Sequence, residues 1–247
     1  MLRLIVDLDP IDPALGLALE EALLAGVENA SDDILRIWVN QRSVIIGRSQ
    51  SVRSEVDLAH LRELSIPVIR RMSGGGAVYH YPGNLNLSVF LRDGRDLGTV
   101  SEAYSAIGGM IVSALSEIDI DANVEGNTLL IGKNKISGAA QVRRGNNLLY
   151  HTTLLVFPSQ VPIDSVLLAM QGSYEPDLVP SHPQPVSCLS RIASGIRLEV
   201  LARTLSEEFA EGIEQEQRAG SYTEEELEYA KQLQVEKYGS DEWNLSR

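Results

Sequence analysis

A chain of 247 residues that is 44% apolar can bury a full core, and a formal charge of −13 excludes a general binder of nucleic acid or membrane surfaces. One cysteine excludes an internal disulfide framework and points to a reducing cytoplasm, and no His and Cys have zinc-ligand spacing. The opening MLRLIVDLDPID reads as neither signal peptide nor membrane span, and no window reaches the roughly 18 apolar residues a span needs.

Asp12-Pro13 opens a helix: Asp at the N-cap, Pro at the first helical position, the run ALGLALEEALLAG behind them, and Gly26 as the stop. ILRIWV and SVIIG read as strands, joined into a hairpin by Asn40-Gln41-Arg42. Ser54 and Asp57 have the residue types that open a short helix over EVDLAHLREL. IPVIRR is a strand that delivers Arg70 and Arg71 into the run SGGG, and AVYH and LNLSVFL are strands beyond it. A helix over 101–118 is expected with Ser101 as its cap. TLLI, KISGAAQV and LLYHTTLLV are further strands, separated by Gly-Lys-Asn and Arg-Gly-Asn-Asn turn signals. From Pro158 to Pro185 prolines accumulate and periodicity fades, which predicts a long surface connection around a short helix at DSVLLAMQ. Residues 197–211 and 223–238 are charged amphipathic helices, the second opened by Thr223 with Glu226 three positions on. Strands grouped between helices predict one α+β domain over 1–247, built on a mixed or antiparallel sheet flanked by helices.

Charge is unevenly placed along the chain. Neither Leu64 to Arg92 nor Gly126 to Ile163 contains an Asp or Glu, although average density would put about nine there. These windows hold Arg70, Arg71, Arg92, Lys133, Lys135, Arg143 and Arg144. Two positive islands in an acidic protein predict one anionic ligand between them. Gly74, Gly75 and Gly76 allow main-chain N–H groups to approach such a ligand, and the preceding guanidinium forks suit phosphate or carboxylate oxygens. The run is neither a P-loop nor a dinucleotide fingerprint, since no Gly-Lys-Ser/Thr follows and a strand succeeds it. The bland alternative is a tight connection between strands. Lys135 opens a strand and is followed by Ser-Gly-Ala-Ala, which leaves space beside its ammonium; alone, it also reads as a solvated surface lysine. His80 and His151 each read as ordinary hydrogen-bonded histidines, and Cys188 as a small buried filler or a thiol ahead of a helix.

Taken together, the motifs resemble one family. RRMSGGGAVYHYPGNLNLS is similar to the Arg-Arg-x-x-Gly-Gly-Gly-x-Val-Tyr/Phe-His-Asp-x-Gly-Asn signature of lipoate–protein ligases. LRIWVNQRSVIIGRSQ looks like the strand pair before it, KNKISGAAQVRRGNNLLYHTTLLV like the segment with the family's essential lysine, and EKYGSDEWNLSR like the tail of the catalytic domain. The resemblance implies the fold shared with biotin–protein ligases. It implies attack of lipoate or octanoate on the α-phosphate of ATP with Mg²⁺ assistance, then acyl transfer from the adenylate to a carrier lysine. Partners implied are lipoyl carrier domains, such as dehydrogenase-complex acyltransferase subunits or a glycine-cleavage carrier protein, and a separate accessory subunit; nucleic acid and membrane are not.

By position, the resemblance implies that Lys135 stabilises charge on the acyl carbonyl and phosphate. Arg70 matches the arginine near phosphate and carboxyl, and Gly74, Gly75, Gly76 and Ala77 match the loop against the intermediate. Gly138, Ala139 and Ala140 line the pocket wall, His80, Gly83 and Asn84 fit the His-Asp-x-Gly-Asn element, and Asn127 fits the Asn of a Gly-x-Asn-Asp element. Two family aspartates are replaced, by Tyr81 and Thr128, which raises the question of metal handling because carboxylates are natural Mg²⁺ ligands. The alternative is an ATP-independent octanoyl or lipoyl transferase with Cys188 as thioester nucleophile. A third is a binder that has lost activity. Lys135, the glycine loop and the GNLN sequence ending at Asn86 favour the ligase.

Overall fold

The computed structural model describes residues 1–27, 31–94 and 97–247. The opening segment, to which no element is assigned above, is strand β1 (Leu2–Ile11). Asp12 then caps α1 (Pro13–Gly26), its side chain accepting from the Leu15 N–H at 2.9 Å. β2 (Asp33–Asn40) and β3 (Ser43–Ile46) follow as expected, but they are not a hairpin. The link Asn40-Gln41-Arg42 carries no Gly for a tight reversal, and the two strands enter different sheets.

The next helix is two: α2 (Val52–Glu55) and α3 (Leu58–Glu63), separated by extended Val56. Asp57 caps α3 through the N–H groups of Ala59 and His60, while Ser54 turns back to the Ser51 carbonyl. β4 (Val68–Arg70), β5 (Val78–His80) and β6 (Asn84–Leu91) come next. α4 (Val100–Ser116) is capped by Thr99 and not Ser101, because Thr99 and Glu102 form a reciprocal capping box. β7 (Asn123–Glu125), β8 (Thr128–Ile131), β9 (Asn134–Arg144) and β10 (Asn147–Leu155) run as a meander. Residues 158–185 hold only α5 (Ile163–Val166) and a short 3₁₀ turn, yet Val166, Leu167, Ala169 and Ser181 are buried. After a 3₁₀ turn (Leu189–Arg191) come α6 (Leu198–Gly212), β11 (Gln217–Ala219), α7 (Glu224–Leu233), which a π-helical stretch (Gln234–Tyr238) continues, and α8 (Asp241–Asn244), with the Thr223–Glu226 capping box in place on α7.

Among the described residues the large sheet runs β11–β1–β2–β6–β10–β9–β8–β7, parallel across β11, β1 and β2 and antiparallel beyond. A small sheet, β4–β3–β5, packs beside it. The fold class is therefore the expected mixed α+β. Side-chain alternation divides the large sheet into two faces. Ile37, Leu87 and Val89 pack against Ile107 and Ile111 of α4 and Leu205 and Phe209 of α6. On the other face, Trp38 meets Leu17 of α1 and Ile45 of the small sheet. Two rows in register cross that second face: Trp38, Asn86, Thr153 and Gly138, then Arg36, Ser88, His151 and Ala140. No helix among the described residues is long and apolar enough to cross a membrane.

Candidate active site

A cavity of about 440 Å³ lies between these rows, α1 and the small sheet. Leu17, Trp38, Ile45 and Val78 make one end apolar, whereas Lys135, Asn127, Thr128 and Glu125 bring polar groups to its lining. Lys135 is half-buried, and burial alone lowers its pKa; no carboxylate or hydrogen-bond acceptor engages its ammonium among the described residues. Its backbone is clamped, donating to Pro185 O at 2.8 Å and accepting from Ser187 N at 3.0 Å. Gly138 is small for a reason: a Cβ there would stand 2.9 Å from both Cε and Nζ of Lys135. The result is a half-buried ammonium held in place at the cavity wall.

Opposite stands the glycine loop, and its shape is set by Arg71. Arg71 as a whole residue is 6% exposed. It donates to Ser73 Oγ at 3.0 Å, Gly74 O at 2.6 Å, Gly76 O at 2.7 Å and Ile45 O at 3.2 Å, and burial brings its pKa down to about 10. Gly75 takes φ +87°, and its carbonyl lies 2.0 Å from where a Cβ on Gly47 would be, so both positions require glycine. Ser73 Oγ bonds His151 Nε2 at 2.6 Å, and His151 Nδ1 bonds both oxygens of buried Glu20 at 3.0 Å. Ser181 fastens the connecting segment to the loop: Ala77 N donates to its Oγ at 2.8 Å, and that Oγ donates to Glu55 at 2.6 Å.

Of the predicted residues, Lys135, Gly76, Ala77, His80, Asn127, Gly138, Ala139 and Ala140 line the cavity together. Gly74 and Gly75 are exposed at its rim without lining it. Arg70 requires a correction. Its side chain is spent on the carbonyls of Gly47, Arg48, Gln50, Trp243 and Asn244, so it ties the tail of the chain to the small sheet and Arg71 faces the cavity instead. Gly83 and Asn84 also lie outside: Gly83 O accepts from Val156 and Phe157, and Asn84 Nδ2 donates to Tyr79 O. Tyr81 is no substitute ligand, because it is buried in an apolar cluster with its hydroxyl on Phe157 O at 2.9 Å. Thr128 does line the cavity. Cys188 is 5% exposed and is not among the residues that line the cavity.

The idea of two positive islands contracts to one pair. Arg71 and Lys135 line the cavity, whereas Arg144 bonds Glu21 and Arg143 reaches the Thr99 carbonyl. Glu20, Trp38 and Thr153 also line the cavity, with no role expected of them from the sequence, and Asn86 joins them from the GNLN motif. A glutamate pair inside ALGLALEEALLAG was the available signal, since an acid on an apolar helix needs a buried partner. No three His, Cys, Asp or Glu among the described residues could hold a metal, and the lining carboxylates are Glu20, already bonded, and exposed Glu125. The donor set does not make a resident metal site.

The architecture is a known one: a biotin protein ligase from Aquifex aeolicus has the same fold, with TM-score 0.50 at 13% identity, covering 87% of this chain and 69% of that one. More specifically, residues 12–210 match the lipoyl protein ligase A/B catalytic domain, and the chain belongs to that family. It is 29% identical to lipoate-protein ligase A subunit 1 of Thermoplasma acidophilum, over 98% of this chain and 96% of that one. The solved bi-partite lipoate protein ligase of T. acidophilum, described with its E2 lipoyl domain, superposes with TM-score 0.83 at 27% identity, covering 98% and 95% of the two chains. A lipoate-protein ligase A solved with ATP bound gives TM-score 0.83 at 28% identity over 98% of each.

Proposed function

We propose that this chain is the catalytic unit of an ATP-dependent lipoate–protein ligase. The observation that carries the reading is Lys135, a half-buried ammonium unpaired among the described residues and held in a pocket with one apolar end. A lipoate or octanoate carboxylate at Lys135 lays its alkyl chain along the apolar wall and meets the α-phosphate of ATP beside the glycine loop. A carboxylate oxygen attacks that phosphorus, pyrophosphate leaves, and acyl-AMP forms. The ε-amine of a lipoyl-domain lysine then attacks the acyl carbon; AMP leaves, the amine gives up a proton, and an amide remains. Lys135 stabilises the charge that gathers on carbonyl and phosphate oxygens in both steps, while the pocket positions the reactants. Mg²⁺ enters as part of the nucleotide substrate, held by phosphate and water as is usual for this ion. The bi-partite relative supports a separate accessory subunit for this chain.

The test is modification of an apo lipoyl domain with lipoate or octanoate and Mg·ATP, with a candidate accessory subunit present. Acylation should require ATP and persist in Cys188→Ala. Lys135→Ala should lower kcat by about 10²–10³ with an unchanged unfolding curve, the range seen when one oxyanion donor is removed. Full activity in Lys135→Ala, or transfer that proceeds without ATP and fails in Cys188→Ala, would show the reading to be wrong.

A further inference from the structure

The row that begins at Trp38 does not stop at Gly138. Gly138 pairs with Thr128 and Thr128 with Glu125, so Trp38, Asn86, Thr153, Gly138, Thr128 and Glu125 stand in one line across the sheet. All of them line the cavity. Alternation along β7 fixes the direction of the last: Val124 packs toward Gly108 of α4 on the opposite face, so Glu125 turns to the cavity side. The line also leads from inside to outside. Trp38 is 1% and Thr128 7% exposed, whereas Glu125 and its neighbours Gly126 and Asn127 are open to solvent.

Chemistry changes along the line in the same order. Trp38 marks the apolar end, the Lys135 ammonium lies against Gly138, and a carboxylate closes the line at Glu125. Two strand spacings, about 10 Å, separate the strand of Gly138 from that of Glu125. An acyl group with its carbonyl at Lys135 and its chain toward Trp38 therefore leaves Glu125 on the far side of the reacting carbon, where the cavity opens.

Glu125 has oxygens to offer there. Glu20, the other lining carboxylate, is filled by His151 and Ser88, whereas Glu125 has only a long contact of 3.5 Å from Asn123 Nδ2 among the described residues. What must come to the acyl carbon from solvent is a carrier lysine, and its side chain arrives as an ammonium. Arg71 and Lys135, the Arg and Lys of the lining, repel it. A carboxylate at the opening offsets that repulsion, and the same carboxylate disfavours a nucleotide phosphate in its place.

We propose that Glu125 receives the carrier lysine, its carboxylate pairing with the incoming ε-ammonium at the cavity opening and holding it ahead of the acyl carbon beside Lys135. The assignment rests on the ligase reading of the site. Octanoyl-AMP supplied ready-made isolates the second step, with apo lipoyl domain as acceptor and the candidate accessory subunit present. The wild-type chain should transfer octanoyl to the carrier above the uncatalysed rate. In Glu125→Gln, kcat/KM for the carrier should fall about fivefold, the upper worth of an exposed ion pair, with the loss lying in KM. Glu125→Lys should lose more, because it adds a third repelling cation. Calorimetric titration should give wild type and Glu125→Gln the same Kd for octanoyl-AMP, which separates contact with the amine from contact with the adenylate. Carrier transfer that is equal in wild type and both variants, or octanoyl-AMP binding that weakens together with transfer, overturns the assignment and leaves the ligase reading standing. A wild-type chain that transfers nothing from octanoyl-AMP overturns the ligase reading and this assignment with it.

Discussion

Glu20 is 2% exposed on α1, where a carboxylate survives only with its oxygens occupied. Burial pushes its pKa up; the charge and hydrogen bond of His151 and the bond from Ser88 outweigh that, and the net shift is down. His151 thereby joins α1 to Ser73 and so to the start of the glycine loop. Replacing His151 with Ala strands a buried carboxylate and should destabilise the fold by about 3 kcal/mol, as removal of one member of a buried pair does. Glu20→Gln in the same chain should recover most of that loss, because a neutral amide needs no counter-charge. Urea unfolding of the two single variants and the double measures this, and additive losses would show that the two residues are not coupled. The two adjacent arginines teach a related lesson about legibility. Consecutive strand residues point to opposite faces, so a signature that names both cannot say which one meets the ligand. Only packing reveals that Arg70 grips the tail and Arg71 the loop.

The glycine loop and the segment after α5 are fitted to one another at a single point. A Cβ on Gly76 would stand 2.8 Å from Ser181 Oγ and 3.0 Å from its Cα, so Gly76→Ala must push the two segments apart. Ser181 cannot yield easily, since Gln50 also donates to its Oγ and Tyr174 accepts from its N–H. The expected result is a tenfold or greater fall in kcat/KM, about the effect of small misplacements at a positioned site, with Tm lowered by only a few degrees. Steady-state kinetics beside a melting curve checks it; unchanged kinetics would mean that the loop tolerates the shift. Elements were legible in the sequence where capping and periodicity agreed, as in α1 and α7. They were misread where pairing partners decide, because a short polar link can close a hairpin or cross between sheets. β1 escaped notice since LRLIVDLDPI mixes acids into its apolar residues, yet it pairs on both sides, with β2 and with β11.

Across the whole molecule, the small sheet is stitched to the large one by His80, which bonds Asn40 of β2 and Thr153 of β10. Its pKa is lowered by burial to about 3, from 6.5. The unfolded chain therefore takes a proton at this residue between those two values and the folded chain does not. That contribution to stability is complete above pH 6.5 and is lost as pH falls toward 3, at up to about 1.4 kcal/mol per pH unit. Glu20 and Glu21, whose pKa values are lowered from 4.5, add their own loss only at lower pH, and between pH 5 and 7 a comparison with a His80 variant cancels the groups that both chains share. Urea unfolding of wild type and His80→Gln over that range should differ in slope by nearly one proton; parallel profiles would exclude His80 as the source. The fold and half of the site were legible because the β9 segment carries its chemistry in consecutive residues. Glu20 and Thr153 were not, since each gains its meaning from a strand or helix distant in sequence. The placement of the only two tryptophans also has a practical consequence. Trp38 walls the cavity beneath the Arg36 guanidinium, and Trp243 donates its indole N–H to the Arg70 carbonyl. Intrinsic fluorescence thus has one emitter at the ligand and one at the seam between tail and small sheet. With Phe at either position, the remaining signal reports occupancy or docking separately, and no dye need be attached.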